Sequence, residues 1–329
     1  MTAVLAMSGP VDRSVWQVGG GQSNCLFVDE LIKYGVALIG PGDAGKWNSG
    51  MPDDDFGGSS VRRFATEPAL GDIILLRSGQ FTVHAVRPIA SEYLCLPQFD
   101  DVTGWDLQHA RRVRWYRLPS PYAFQTTVFG ANPRRFARVN SDAAIAYARS
   151  FIRSPPTDWQ IAALPSLPDA EPPLSSIPAS IAETVALAAD LGTGYSDNER
   201  FGERPCEDEM IAHYAIPLLH AMGWSPENIA VQWRSIDVCV FRTLPRVPEN
   251  IQFIVEGKRL GDGIEGALGQ AKGYATALAV FCDLIVTDGL RYRLYEYDEN
   301  LADFMPAAYA NLLSLKQSAA KFLARLKRP

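Results

Sequence analysis

Two acidic residues and one lysine have the types and spacing needed for chemistry on a phosphodiester. Glu256 and Lys258 lie in FIVEGKRL, residues 253–260, and Asp237 lies in SIDVCVF, residues 235–241. Side chains two positions apart on a strand share a face, so Glu256 and Lys258 are expected to project together. Asp237 precedes Glu256 by nineteen residues, which a β-hairpin can span. The two carboxylates could hold Mg²⁺, and the lysine could offset negative charge on phosphate.

A simpler interpretation is that the ExK pair is a surface ion pair and that Asp237 marks the end of a strand. Both carboxylates, however, are embedded in apolar runs, Ile236-Asp237-Val238 and Phe253-Ile254-Val255-Glu256. A charge without a partner is costly in such surroundings. The embedding therefore favours a functional site.

The elements that must position these residues alternate between helix and strand. Apolar spacing predicts helices over Glu207–Met222 and Ile264–Val280, with a helical tail from Ala302 onward. Strands are predicted over Val231–Phe241, Ile251–Lys258, Leu284–Thr287 and Tyr292–Tyr297.

This order and its motifs resemble the PD-(D/E)xK nuclease fold, and above all the nuclease domain of the motor subunit of type I restriction enzymes. The matching segments, spanning about residues 207–297, are Glu207 followed by PLLHAMGW, then Asp237, EGKRL, QAKGYA from Gln270, and VTDGLRYRLYE. The resemblance implies an αβββαβ-type core in which Asp237 and Glu256 bind Mg²⁺ or Mn²⁺ and Lys258 is catalytic.

The resemblance also implies roles for two further residues. Glu207 would support the site, and spacing to Pro217 favours it over the competing Glu209. Gln270 would orient the lysine or face the substrate; the alternative is a polar residue that only solvates its helix.

A proline-rich segment divides the chain. Seven prolines fall between Ser154 and Ser180, which predicts a semi-extended linker. The expected organisation is a nucleic-acid reader domain over residues 10–152, a linker over 153–180, and a nuclease domain with a helical tail over 181–329. The predicted class is a two-domain α+β or α/β protein.

The region before the linker is predicted to be mainly β. Helices are expected at Phe27–Tyr34 and Ala143–Ile152. Short apolar runs between turn signals predict strands at Val15–Val18, Val36–Ile39, Asp72–Arg77, Phe81–Arg87, Tyr93–Leu96 and Arg111–Leu118. The segments WQVGGGQSN (16–24), YGVALIG (34–40) and LGDIILLRSGQFTVHAVRPI (70–89) resemble the PUA superfamily, the β-barrel shared by EVE, YTH and ASCH domains.

That resemblance implies nucleic-acid binding, with a modified base held in an aromatic pocket. Candidate stacking residues are Trp16, Trp47 and Trp105, although aromatic residues also fill barrel cores. Ser23 and Asn24 could hydrogen-bond the edge of a base, and Lys46 could contact a phosphate.

A basic stretch follows in the same region. Residues 111–138 contain seven arginines and no Asp or Glu, which favours a track for the phosphate backbone over a merely solvated face. The candidate phosphate contacts are Arg111, Arg112 and Arg114.

The loop GPGDAGK, residues 40–46, has the spacing of an ATP-binding P-loop, but Trp47 follows the lysine where Ser or Thr is needed. Turn residues follow in place of a helix, so no ATP binding is expected.

Whole-chain composition limits the alternatives. The 329 residues carry a net charge of −6, which excludes a uniformly basic coat. No signal peptide or membrane span is evident, and five scattered cysteines without a CxxC pair suggest a reducing cytoplasm.

Three functions fit these observations. The first is a modification-dependent DNA endonuclease of type IV restriction character, acting in phage defence. The second is an RNA-directed nuclease, and the third is a non-catalytic nucleic-acid-binding regulator with a vestigial nuclease fold. The apolar tail, residues 302–325, could support a homodimer or cover its own domain.

Overall fold

The fold of the chain is mixed α+β. The computed structural model describes residues 13–22, 25–40, 42, 45–49, 58–131, 134–153, 163–195, 205–260 and 263–329. Two compact units are formed, one by residues 1–53, 57–102 and 107–168 and the other by 54–56, 103–106 and 169–329. The boundary at Pro168 lies within the proline-rich segment. Among the described residues, no helix is long and apolar enough to cross a bilayer.

The first unit contains three sheets with strand orders β10-β1-β5-β6-β9, β4-β8-β7 and β2-β3. Its strands are β1 (Val15–Gly19), β2 (Gly21–Gln22), β3 (Cys25–Leu26), β4 (Val36–Ile39), β5 (Ile73–Ser78), β6 (Thr82–Pro88), β7 (Leu94–Cys95), β8 (His109–Arg112), β9 (Tyr116–Ala123) and β10 (Phe136–Arg138). Its helices are α1 (Val28–Tyr34), α2 (Gly58–Thr66) and α3 (Asp142–Arg153). No sheet closes into a barrel within the described part of this unit, so the PUA-like barrel stays a prediction.

The centre of the five-stranded sheet is buried on both faces. Strands β1 and β5 run parallel, and every residue of β1 is buried. One face packs Val15, Ile73 and Leu75 against Ala144 and Ala148 of α3. Near-continuous apolar runs are what a strand covered on both faces requires.

The predicted positions of the elements in this unit are largely confirmed, with one exception. The run Arg111–Leu118 forms no single strand, because β8 ends at Arg112 and β9 begins at Tyr116. The two pieces join different sheets: β8 pairs with β4 and β7, whereas β9 pairs with β6. An apolar run alone does not show where a chain passes from one sheet to another.

The second unit is built on a six-stranded sheet with the order β11-β12-β13-β14-β15-β16. Only β13 and β14 pair in parallel; the other neighbours are antiparallel. The strands are β11 (Ile229–Trp233), β12 (Ile236–Phe241), β13 (Ile251–Gly257), β14 (Asp283–Thr287), β15 (Arg291–Asp298) and β16 (Asp303–Asn311).

Helices cover both faces of this sheet. One face packs against α4 (Ala179–Tyr195), α5 (Glu207–Met210), a π turn (Ile211–Ala215), α6 (Ile216–Ala221) and α8 (Ala319–Leu326). The other face packs against a 3₁₀ turn (Ile264–Ala267) and α7 (Leu268–Leu278). This crossover connects the two parallel strands, as a parallel pair requires.

Two predicted elements of this unit are wrong. The run Val231–Phe241 forms the hairpin β11–β12, because Arg234 and Ser235 take left-handed φ angles of 52° and 68° and reverse the chain. Residues 303–311 of the expected helical tail form β16, which pairs with β15. The apolar side chains Leu312, Leu315, Phe322 and Leu323 pack in the core of their own unit.

The VTDG motif forms the tight connection between β14 and β15. Fully buried Asp288 accepts hydrogen bonds from the backbone N–H of Leu290 and Arg291 and pairs with the Arg291 guanidinium. Gly289 has a φ of +93°, and a Cβ there would lie 2.8 Å from Cδ2 of buried Tyr214. Both the backbone and the packing therefore require glycine.

Gly289→Ala is expected to lower the free energy of unfolding by about 2–3 kcal/mol, because it adds backbone strain and displaces a buried ring. Urea denaturation measures this change. The matched control is Gly273→Ala on α7, where a Cβ meets no atom within 4 Å. The control should be neutral or more stable by up to about 1 kcal/mol, and an equal loss in both variants would contradict the explanation.

Candidate active site

Asp237 and Glu256 lie on neighbouring antiparallel strands. Val238 of β12 pairs with Val255 of β13, and one further step in this register places Asp237 across from Glu256. The Asp237 carboxylate also accepts a hydrogen bond from the backbone N–H of Gly257, the residue after Glu256. The structure thus brings together the two carboxylates predicted from sequence.

Glu256 is buried without hydrogen-bond partners. Its side chain is 0% exposed, and neither carboxylate oxygen accepts a hydrogen bond within the described part of the chain. Burial raises its pKa to about 7, with further raising by Asp237 and Glu207 and a lowering contribution from Lys258. A buried carboxylate left in this state is costly unless a cation or a proton joins it.

Asp237 is held from two directions. Its Oδ2 accepts a 2.7 Å hydrogen bond from the backbone N–H of Gly257, and its Oδ1 accepts a 3.2 Å bond from Nε2 of Gln232. A carboxylate offers about four lone-pair positions, so acceptor capacity remains on both oxygens. Gln232 escaped the sequence analysis because no motif marks it.

Lys258 lies between two acids just beyond the end of β13. Its backbone N–H donates to the carbonyl of Thr287 on β14 at 2.7 Å. Its Nζ lies 3.5 Å from Oε2 of Glu207 and 3.6 Å from Oε1 of Glu256. With only 19% of its side chain exposed, the ammonium is partly shielded from water, which strengthens both pairs.

The helix that carries Glu207 also separates it from its competitor. Glu207 opens α5 and reaches Lys258, whereas the Glu209 carboxylate accepts a hydrogen bond from the backbone N–H of Cys206. Glu209 therefore caps the helix, and Glu207 is the acid near the lysine.

Gln270 has a local partner on its own helix. Its side chain is exposed, and its Nε2 donates to the hydroxyl of Tyr274, one turn further along α7, at 2.9 Å. This pair accounts for the QxxxY spacing by a helix-surface interaction. A role for Gln270 toward Lys258 or substrate stays a prediction.

The donor set suits a hard divalent cation. Asp237 and Glu256 could hold Mg²⁺ or Mn²⁺ through carboxylate oxygens, and Mg²⁺ commonly keeps several waters beside one or two carboxylates. The oxygens of Glu256 accept no hydrogen bond from the described residues and have Lys258 Nζ at 3.6 Å, so they could still bind a cation. The described residues contain no group of three or more His, Cys, Asp or Glu able to hold a metal, so water or substrate would complete the coordination.

Two predicted nucleic-acid contacts in the first unit prove to be core residues. Trp16 is 3% exposed; it stacks on Phe136, and its Nε1 donates to Asp72. Arg111 is 0% exposed and donates to the backbone carbonyls of Phe64 and Ala65. Neither side chain can reach a nucleic acid, so both predictions are corrected.

Three other arginines of the basic stretch differ in their surroundings. Arg112 donates hydrogen bonds to the backbone carbonyls of Tyr34, Gly35 and Pro165. Its role is therefore structural, and its prediction as a phosphate contact is corrected. Arg117 pairs with Asp29. Arg114 is half-buried, and its Nε makes no hydrogen bond to the described residues, so its role stays a prediction.

Among the remaining candidates, Ser23 and Asn24 lie outside the described residues. Trp105 belongs to residues 103–106 of the second unit. Its ring lies against Gly263, where an added Cβ would be 2.1 Å from Trp105 Cε2. That packing covers part of the half-buried ring, and a stacking role for Trp105 stays a prediction.

Trp47 and Lys46 remain candidate nucleic-acid contacts. Lys46 is exposed and Trp47 is half-buried. The Trp47 backbone N–H donates to the Tyr93 hydroxyl at 3.0 Å, and that hydroxyl contacts Nδ1 of His109 at 2.8 Å. The Trp47 Nε1 is buried and makes no hydrogen bond to the described residues. Tyr93 and His109 were not predicted, because single aromatic residues in separate strands give no signal.

Comparison with known proteins gives one weak structural similarity. No protein-family model matches the sequence, and no curated protein matches it. A solved fragment assigned to the HsdR subunit of a type I restriction enzyme from Vibrio vulnificus YJ016 is 17% identical, with a TM-score of 0.25. The match covers 37% of this chain and 25% of the other, so this chain spans about a quarter of that neighbour.

Proposed function

We propose that the chain is a divalent-metal-dependent nuclease whose second unit hydrolyses phosphodiester bonds in DNA. The observation that carries the proposal is Glu256: a fully buried carboxylate without hydrogen bonds, beside Asp237 and with Lys258 Nζ at 3.6 Å. A structural ion pair would not require a second acid on the adjoining strand. Strongly perturbed carboxylates beside specific charges are typical of functional sites.

Asp237 and Glu256 are the proposed ligands. Mg²⁺ bound there would supply Lewis acidity toward a phosphodiester oxygen and toward water. The backbone N–H of Gly257 fixes Asp237 relative to β13, so the two carboxylates keep a constant separation. Such fixed geometry is what metal-assisted hydrolysis needs from a protein.

Lys258 is the proposed stabiliser of developing charge. In hydrolysis, a water oxygen forms a bond to phosphorus, the ester oxygen leaves, and a proton moves to that oxygen. Negative charge grows on phosphate oxygens during this step, and the ammonium can offset it and orient the water. Glu207, 3.5 Å from Nζ, holds the lysine side chain in place.

The first unit is proposed to read a modified base, which would confine cutting to foreign DNA. Support comes from Trp47, whose indole N–H has no hydrogen bond to described residues, and from the exposed Lys46 nearby in sequence. The exposed part of this half-buried ring could stack on a base.

The test is a digestion panel with the full chain. Matched DNA substrates, unmodified or carrying modified cytosines, and a matched RNA are incubated with Mg²⁺, Mn²⁺ or EDTA. We expect cutting of modified DNA with either metal ion and none in EDTA, as measured by gel electrophoresis.

Each other result selects a different function. Equal cutting of modified and unmodified DNA would contradict the base-reading role of the first unit and would still support the nuclease activity. Cutting of RNA alone would support the RNA-directed alternative. Binding of nucleic acid without any cutting in either metal ion would support a non-catalytic regulator.

A further inference from the structure

Gln232 has an unusual backbone conformation for a residue inside a strand. Its φ is +53°, in the left-handed region that side chains other than glycine rarely adopt. The left-handed residues Arg234 and Ser235 form the two-residue turn of the hairpin, where such angles are required. Gln232 instead lies within β11, between the pairs Val231–Val238 and Trp233–Ile236, so the turn does not explain its strain.

The strain coincides with a contact to the candidate active site. The register of the hairpin places Gln232 directly across from Asp237. Its Nε2 donates to Oδ1 of Asp237 at 3.2 Å, while Oδ2 accepts the backbone N–H of Gly257. One oxygen is thus held from β11 and the other from β13. Strained residues retained beside reactive groups commonly have a functional role.

We propose that Gln232 is a positioning residue that fixes the plane of the Asp237 carboxylate for cation binding. The inference rests on the proposed function. With both oxygens hydrogen-bonded from opposite sides, rotation of the carboxylate is restricted, which favours one direction for its remaining lone pairs. A neutral amide suits this position, because a lysine would compete with the cation.

The proposal predicts that removing the Gln232 side chain raises the stability of the protein and lowers its affinity for metal ions. Gln232→Gly relieves the backbone strain and removes the amide. Its melting temperature in EDTA should rise by about 2–4 °C, while its affinity for Mn²⁺ should fall about tenfold or more. Scanning fluorimetry measures the first quantity and isothermal titration calorimetry the second. A residue with a purely structural role would change stability and leave Mn²⁺ affinity intact.

Two further variants complete the test. Ser235→Gly, in the adjoining turn, relieves similar strain without touching Asp237, so it should raise the melting temperature and bind Mn²⁺ like the wild type. In Gln232→Asn, the new asparagine tolerates the left-handed φ, but its side chain is one methylene too short to reach Oδ1 of Asp237. It should lose Mn²⁺ affinity without losing stability, which guards against a folding defect in the glycine variant.

Different results would contradict this inference and the proposed function. Wild-type Mn²⁺ affinity and cutting rate in both Gln232 variants would overturn the positioning role and leave the nuclease standing. A wild-type chain that binds no Mn²⁺ and cuts no nucleic acid would overturn both.

Discussion

Lys258→Ala is expected to reduce the rate of DNA cleavage by about 10²–10³-fold, the usual loss when one donor that stabilises transition-state charge is removed. The Nζ of Lys258 lies within 3.6 Å of both Glu207 and Glu256, and alanine places no positive charge there. Binding of Mn²⁺ should be unchanged or tighter, because a positive charge beside the cation has been removed. Single-turnover cleavage and calorimetry measure the two quantities.

The matched control is Lys272→Ala on α7. Lys272 pairs with Asp303 at the surface, where an ion pair contributes about 0–1 kcal/mol, so cleavage should keep its wild-type rate. If Lys258→Ala also cleaved at that rate, Lys258 would have no catalytic role. That result would favour the alternative of a non-catalytic nucleic-acid-binding regulator.

Glu256→Gln is expected to abolish cleavage and yet stabilise the metal-free protein at alkaline pH. The pKa of Glu256 is raised from 4.5 to about 7, chiefly by burial. A raised carboxyl pKa means that ionisation opposes folding. The penalty is absent below about pH 4.5, grows as pH rises toward 7, and is complete above pH 7. At about 1.4 kcal/mol per pKa unit, it reaches about 3 kcal/mol.

The amide cannot ionise, so the variant escapes this penalty. Compared with wild type in EDTA, its free energy of unfolding should improve by about 2.5 kcal/mol between pH 5 and pH 8, as measured by urea denaturation, because a small part of the penalty is already present at pH 5. Mn²⁺ should raise the melting temperature of the wild type and leave that of the variant unchanged.

Glu207→Gln is the control, since its side chain is 44% exposed and water solvates its charge. Its stability relative to wild type should change little between the two pH values. A Glu256→Gln variant whose stability gain is the same at pH 5 and pH 8 would show that burial of the charge is not the cause.

The acidic pair could be predicted because its signals are local. An acid inside an apolar run indicates a function because burying its charge is costly. The alternation of side chains along a strand assigns the face toward which Glu256 points. The hairpin was harder, because its turn is built from Arg234 and Ser235 rather than from the Asn and Gly that usually mark one. For the same reason, the left-handed Gln232 leaves no trace in the sequence.

The basic stretch shows why a count of charges is a poor guide to a surface. Its arginines look equivalent in sequence, yet Arg111 is buried against backbone carbonyls and Arg117 pairs with an acid. Arginine is long enough to serve as an internal hydrogen-bond donor, so exposure depends on tertiary packing. Residues 303–311 make the same point for secondary structure, because pairing with β15 overrides their helical pattern.

The pairing of β12 with β13 has a consequence for how errors in folding would be detected. Val240 pairs with Phe253 and Phe241 with Ile251, so Gln252 is an extra residue that acts as a stop against sliding of one strand along the other. A slip by one residue would turn Glu256 to the opposite face, away from Asp237. Catalytic competence would then vanish before the sheet itself was lost, which makes cleavage a sensitive assay for the alignment of these strands.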